Sequence, residues 1–212
     1  MHFDFVDIGT CDFETGADEI IHNNNYNILL VEPLKFYLDE LPSHQNIFKL
    51  NKAIGNKQDI VDIFYVEEEL INQHNMPKWL KGCNSVEKPH TLLIEKLSQF
   101  NVPLSVVKHI KVEMITFDTM CQMFNIESIG KLKIDTEGYD HIILKDVYRK
   151  ISKGFKVSTI IFEYQEYMNN THRLDALIEK FLHMGYRKSW PEGIDIQLDI
   201  NPAIANIGLE VI

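Results

Sequence analysis

Arginine is scarce in this chain. Of its 21 cationic residues only Arg149, Arg173 and Arg187 carry the planar fork that grips phosphate in two-point contacts, and 31 acidic residues leave a net charge of −10 at pH 7. A nucleic-acid partner is therefore excluded as an expectation. Cysteine is almost as sparse: Cys11, Cys83 and Cys121 are far apart and lack CxxC spacing, so neither a disulfide framework nor a zinc site is expected. Nine histidines show no HxH or HxxxH pairing, and no metal is implied by ligand spacing. No apolar run approaches membrane-spanning length, and the opening MHFDFVDIG holds acids where an export signal holds bases. These absences predict a soluble, cytoplasmic protein, and its 212 residues suit one domain.

What is present alternates between two periods. FDFVDIG (3–9), NILLVEP (27–33), IFKLNKAIG (47–55), QDIVDIFYVEEE (58–69), IKVEMITFD (110–118), IGKLKID (129–135), VSTIIFEYQ (157–165) and IDIQLDI (194–200) read as strands. The unbroken ILLV run predicts a strand covered on both faces. Helical spacing marks DHIILKDVYRK (140–150) and RLDALIEKFLHMG (173–185), with shorter helices in ETGADEIIHNNN and FDTMCQMF. Residues 70–108 mix Pro, Gly, Trp and charge before the helical TLLIEKLSQF, and read as an insertion or lid within a single domain spanning 1–212. This alternation predicts an open α/β sheet with helices on both faces, whose ligands bind beyond the carboxyl ends of the strands.

Acids that end strands are accordingly the first candidates: Asp7, Glu32, Asp118, Asp135 with Glu137, and Glu163. Glu32 follows the second strand, 25 residues after Asp7, the spacing at which an α/β sheet presents a carboxylate to ribose hydroxyls. The first loop, GTCDFETG, lacks the G-x-G-x-x-G needed to cradle a pyrophosphate, and Asp12 and Glu14 disfavour an anion there. S-adenosylmethionine, a nucleoside with a sulfonium and no phosphate, fits that description.

Taken in order, VDIG (6–9), VEP (31–33), NKAIG (51–55), ITFD (115–118), LKIDTEG (132–138) and IIFEYQ (160–165) resemble an FkbM-type methyltransferase. The resemblance implies a Rossmann-like class I methyltransferase fold with a mostly parallel seven-stranded sheet and an antiparallel last strand. It also implies S-adenosylmethionine as cofactor and O-methylation of a sugar, glycan precursor or related small molecule. The first loop departs from the DIGANxG pattern common in that family: Thr10 and Cys11 replace the small residue and Asn, and Phe13 stands at the second glycine.

Within KIDTEGYD (133–140), continued strand alternation puts Lys133, Asp135 and Glu137 on one side. Lys133 is expected to pair with a neighbouring acid, since a buried ammonium is costly alone. On the functional reading Asp135 lies by the cofactor's methionine end and Glu137 orients the acceptor hydroxyl, with Lys133, Asp135, His141 and Glu163 as alternates. Asp7, Gly9, Glu32, Ala53 and Asp135 form the expected cofactor set, and Glu163 and His141 the expected substrate set. Two rivals stand beside this reading. One is a nucleotide-sugar or NAD-dependent enzyme on a similar sheet; the other is a catalytically inactive interaction module. Oligomeric state is not legible.

Overall fold

The computed structural model describes residues 1–11, 26–164, 171–190 and 195–201. The helix expected over 14–25, together with Phe13, lies outside the described residues. The main sheet has seven strands: β1 (His2–Ile8), β2 (Ile28–Val31), β3 (Ile47–Leu50), β8 (Ser128–Ile134), β9 (Lys156–Glu163), β10 (Tyr186–Ser189) and β11 (Asp195–Ile200). Their order is β10-β11-β9-β8-β1-β2-β3. Strands β1, β2, β3, β8 and β9 pair in parallel, and β11 runs antiparallel to both of its neighbours. This is the expected Rossmann-like sheet with an antiparallel last strand.

Both faces of the sheet are covered. The ILLV run of β2 shows why its sequence is continuously apolar: Leu29 and Val31 join one core, while Ile28 and Leu30 join another with Phe5, Leu38 and Leu41. The helices α1 (Lys35–Glu40), α4 (Phe117–Met123), α5 (Asp140–Ile151) and α6 (Thr171–His183) supply the cover. In α5 the buried Ile143, Leu144, Val147 and Ile151 form a single stripe, with acid in the first turn and Arg149 and Lys150 in the last. In α4 the Thr116 hydroxyl accepts a hydrogen bond from the Thr119 amide, capping the helix start. None of the described helices is long and apolar enough to cross a membrane.

The segment read as one third strand, 47–55, is two strands in two sheets. β3 pairs with β2, whereas β4 (Ala53–Gly55) pairs with β7 (Lys108–Thr116). Asn51 makes the break: its Nδ2 donates to the carbonyls of Glu32 and Pro33, satisfying the strand end and turning the chain away. β4 and β7 belong to a second sheet, β4-β7-β5-β6, with β5 at Asp59–Tyr65 and β6 at Ser85–Val86. Beyond β5, helix α2 (Glu68–Gln73) and helix α3 (Thr91–Gln99) enclose a separate apolar cluster that includes Ile71, Leu80, Cys83, Leu93 and Leu97. The polar strand β10 was not foreseen. Asp118 was expected to end a strand, but it lies in the first turn of α4 and pairs with Lys150.

Candidate active site at the switch point of the sheet

Strand order reverses between β1, which leads outward to β2, and β8, which leads the other way to β9. The turns leaving β1 and β8 therefore diverge, and a crevice opens between them. Its walls include Gly9, Glu32, Asp135 and Glu137 from the main sheet, and Ala53 and Asn84 from the second sheet and its connections. Five of the predicted site residues are thus brought together. The cleft is narrow, with a cavity volume of about 50 Å³.

Glu32 is 97% withdrawn from solvent at the carboxyl end of β2 (3% exposed). Its Oε2 accepts from the Cys11 amide at 2.9 Å and its Oε1 from the Leu34 amide at 2.8 Å. These bonds tie the first loop to the β2 exit and fix the carboxylate, each oxygen of which can accept from more than one donor. Cys11, where the resembled family has Asn, takes a left-handed φ of +46°, which presents its amide to Glu32. Across the cleft, Asn84 anchors through Nδ2 to the Lys81 carbonyl. Its Oδ1 is buried with no hydrogen-bond partner among the described residues, an acceptor left for a donor that the fold itself does not supply.

The turn after β8 differs from the extended path expected for 133–137. The strand ends at Ile134, and Glu137 adopts φ +51° followed by Gly138 at +107°. Lys133 and Asp135 nevertheless pair as expected, Nζ to Oδ2 at 3.2 Å. Glu137 instead turns toward His90, with Oε2 at 3.2 Å from Nε2. Burial holds the His90 imidazole below its usual pKa, so it is neutral near pH 7. The turn is held from beneath by Asp140, whose Oδ2 accepts from the Thr136 hydroxyl at 2.9 Å and the Gly138 amide at 3.4 Å. Burial, then the nearby Asp135 charge, pushes the Asp140 carboxyl up to about 7.

The remaining predicted residues lie apart from the cleft walls. Asp7 is fully buried, in register with Lys133 on β8 and Leu30 on β2, a position beneath the cleft floor. His141 accepts and donates elsewhere: Nδ1 lies 3.2 Å from the Gly138 carbonyl and Nε2 3.0 Å from Arg173. Burial and then the Arg173 charge lower its pKa. Glu163 ends β9 in register with Asp195 of β11. Asn84 and His90 escaped sequence reasoning because both lie in the segment read as an insertion. Their spacing from Glu32 and Glu137 carries no local signal.

Comparison with known proteins places this geometry. A family model described as the methyltransferase FkbM domain matches residues 7–188, a span that contains every candidate cleft residue. No curated protein and no solved structure matches the chain.

Proposed function

The chain belongs to the FkbM methyltransferase family, and from that premise we propose that it is an S-adenosylmethionine-dependent O-methyltransferase acting on a hydroxyl of a sugar, glycan precursor or related small molecule. The observation that carries the cofactor assignment is the cleft itself. A buried, immobilised carboxylate just after β2, Glu32, lines the same cleft as Asn84, whose amide oxygen has no partner among the described residues. A nucleoside complements that pair, since its ribose offers vicinal hydroxyl donors and its adenine an exocyclic amine.

Bound S-adenosylmethionine would supply a methyl group on a sulfonium, an electrophile that needs no further activation. This chain's residues then bind, orient and exclude water. Glu32 accepts the ribose hydroxyls with little further ordering cost, because Cys11 and Leu34 already hold it. Ala53 and Ile54 give the cleft an apolar wall, and Asp135 extends negative potential along the cleft toward the cationic end of the cofactor. Glu137, at the other end, accepts the proton of an acceptor hydroxyl. A carboxylate is a weak base for a hydroxyl, so its main contribution is alignment, and the proton moves late. We assign bracing to Asp7, which is buried, and contacts with an acceptor that extends beyond the cleft to Glu163 and His141. The closed gap requires its second-sheet wall to part as the nucleoside enters.

Two substitutions test the division of labour. Glu32→Gln turns an amide donor against the Cys11 or Leu34 N–H, so we expect a stability loss of about 1–3 kcal/mol. It should also lower S-adenosylmethionine affinity at least about tenfold, as the loss of one charged hydrogen bond predicts. Glu137→Gln should keep cofactor affinity while methyl transfer falls by roughly 10²–10⁴. Transfer is read as the mass gain of one methyl on a panel of free and nucleotide-activated sugars. Unchanged turnover in Glu137→Gln would remove Glu137 from the reaction.

A further inference from the structure

Glu137 has company that its sequence neighbours do not disclose. Cys83, His90 and Glu137 each direct one ligand-type atom into a common space, all three within 4.8 Å of one another. Cys83 and His90 are 3% and 7% exposed, and the Glu137 side chain is 17% exposed. The His90 Nε2 to Glu137 Oε2 distance is 3.2 Å. Two ligands bonded at about 2.0–2.1 Å to one tetrahedral ion stand roughly 3.3 Å apart, so this edge already has the required length.

The backbone is built around the same point. Glu137 is held at φ +51° and Glu87, in the connection between Cys83 and His90, at φ +71°. Such conformations cost a non-glycine residue about 1–2 kcal/mol each and persist only where surrounding structure fixes them. The Tyr139 hydroxyl donates to Glu87 Oε1 at 3.1 Å, clamping the two turns together.

We propose that Cys83, His90 and Glu137 bind a divalent transition-metal ion, with zinc as the best match, and leave its fourth position open to solvent and substrate. Mixed sulfur, nitrogen and oxygen donors suit zinc and disfavour magnesium or calcium. A thiolate and a carboxylate together neutralise the ion's charge, which makes its burial tolerable. A cavity of about 290 Å³, lined in part by Ser85, His90, Thr91 and Glu137, opens beside the cluster. It shares Val86 and Glu137 with the nucleoside cleft. The ion therefore sits between a place for the methyl donor and a place for an acceptor.

Resting on the methyltransferase reading, the open position takes the acceptor hydroxyl and lowers its pKa, as zinc does for bound water. The hydroxyl proton leaves to solvent through the Glu137 oxygen that does not ligate the ion. The C–O bond then forms as the methyl–sulfur bond breaks, and the sulfur departs as a neutral thioether.

The test is cobalt titration of the full chain after removal of metals with a chelator. Co²⁺ should bind at one equivalent, giving the visible bands of a tetrahedral site and a thiolate-to-cobalt charge-transfer band, and Zn²⁺ should displace it. Cys83→Ser should abolish the charge-transfer band, and His90→Gln should weaken Co²⁺ binding at least tenfold. Folding of each variant is checked by circular dichroism. Absence of these bands in folded wild-type protein, or their persistence in Cys83→Ser, would overturn the site. S-adenosylmethionine binding in chelator is measured separately, so a missing metal and a missing cofactor are distinguishable failures.

Discussion

Gly9→Ala is expected to be the most damaging single-methyl change in the protein. Gly9 leaves β1 at φ +86°, and a Cβ built there would lie 1.8 Å from the Asp135 carbonyl oxygen. The turns after β1 and β8 pass one another at backbone contact, and only a residue without a side chain permits it. A methyl group imposes the left-handed strain, about 1–2 kcal/mol, and the overpacking cost, about 1–3 kcal/mol, at once. The combined loss, roughly 2–5 kcal/mol, corresponds to a fall in Tm of about 4–20 °C for a chain of this length. Gly138→Ala is the informative contrast. Gly138 has φ +107° but nothing within 4 Å of the added carbon, so only the conformational cost applies. Thermal unfolding of both variants measures the difference, and equal shifts would refute the close-approach explanation. Because the turns at Gly9 and Asp135 form the cleft wall, any surviving Gly9→Ala protein should also bind cofactor poorly.

The second large effect is a pH dependence centred on Asp140. Its carboxyl is fully buried and its folded pKa is about 7, against an ordinary value of 3.8. The folded state therefore holds this proton more tightly than the unfolded chain. The sign follows from linkage: the contribution is complete below about pH 4, declines as pH rises to about 7, and is constant above it. Over about three pH units the decline amounts to roughly 4 kcal/mol. Other carboxylates titrate in the same window, so the clean observable is the difference between wild type and Asp140→Asn. The amide keeps an oxygen for Thr136 and Gly138 and never ionises, so the variant should gain stability relative to wild type as pH rises from 4 to 8. Denaturant unfolding at several pH values tests this. A pH-independent difference would show that Asp140 does not carry the buried proton.

The two predictions mark where the sequence was legible. Strand β2, the stripe of α5 and the close of α6 at Gly185 were readable because each is specified by local periodicity and a local stop signal. The position of Glu32 was readable for the same reason, as the acid that directly follows β2. The division of 47–55 between two sheets was not, because it depends on Asn51 reaching back to carbonyls 18 and 19 residues earlier. Strand β10 was missed since YRKS, three-quarters exposed at a sheet edge, has the polar character of a guarded edge rather than an alternating strand. The turn at Glu137 was drawn as extended because its left-handed φ is set by His90, Asp140 and Tyr139, none of which adjacent sequence identifies. The meeting of Cys83 and His90 with Glu137 lies still further from reach. Glu137 lies about 50 residues from the segment that holds the other two, and only the tertiary fold brings them together.

The central claim is that the crevice between β1 and β8 holds an adenosine through Glu32. Isothermal calorimetry of the wild-type chain and Glu32→Gln with S-adenosylmethionine, S-adenosylhomocysteine and NAD tests it most directly. Wild type should bind the first two at one equivalent and give no heat with NAD, and Glu32→Gln should lose at least about tenfold in affinity for both. Silence of folded wild-type protein toward both, or binding of NAD in their place, would contradict it.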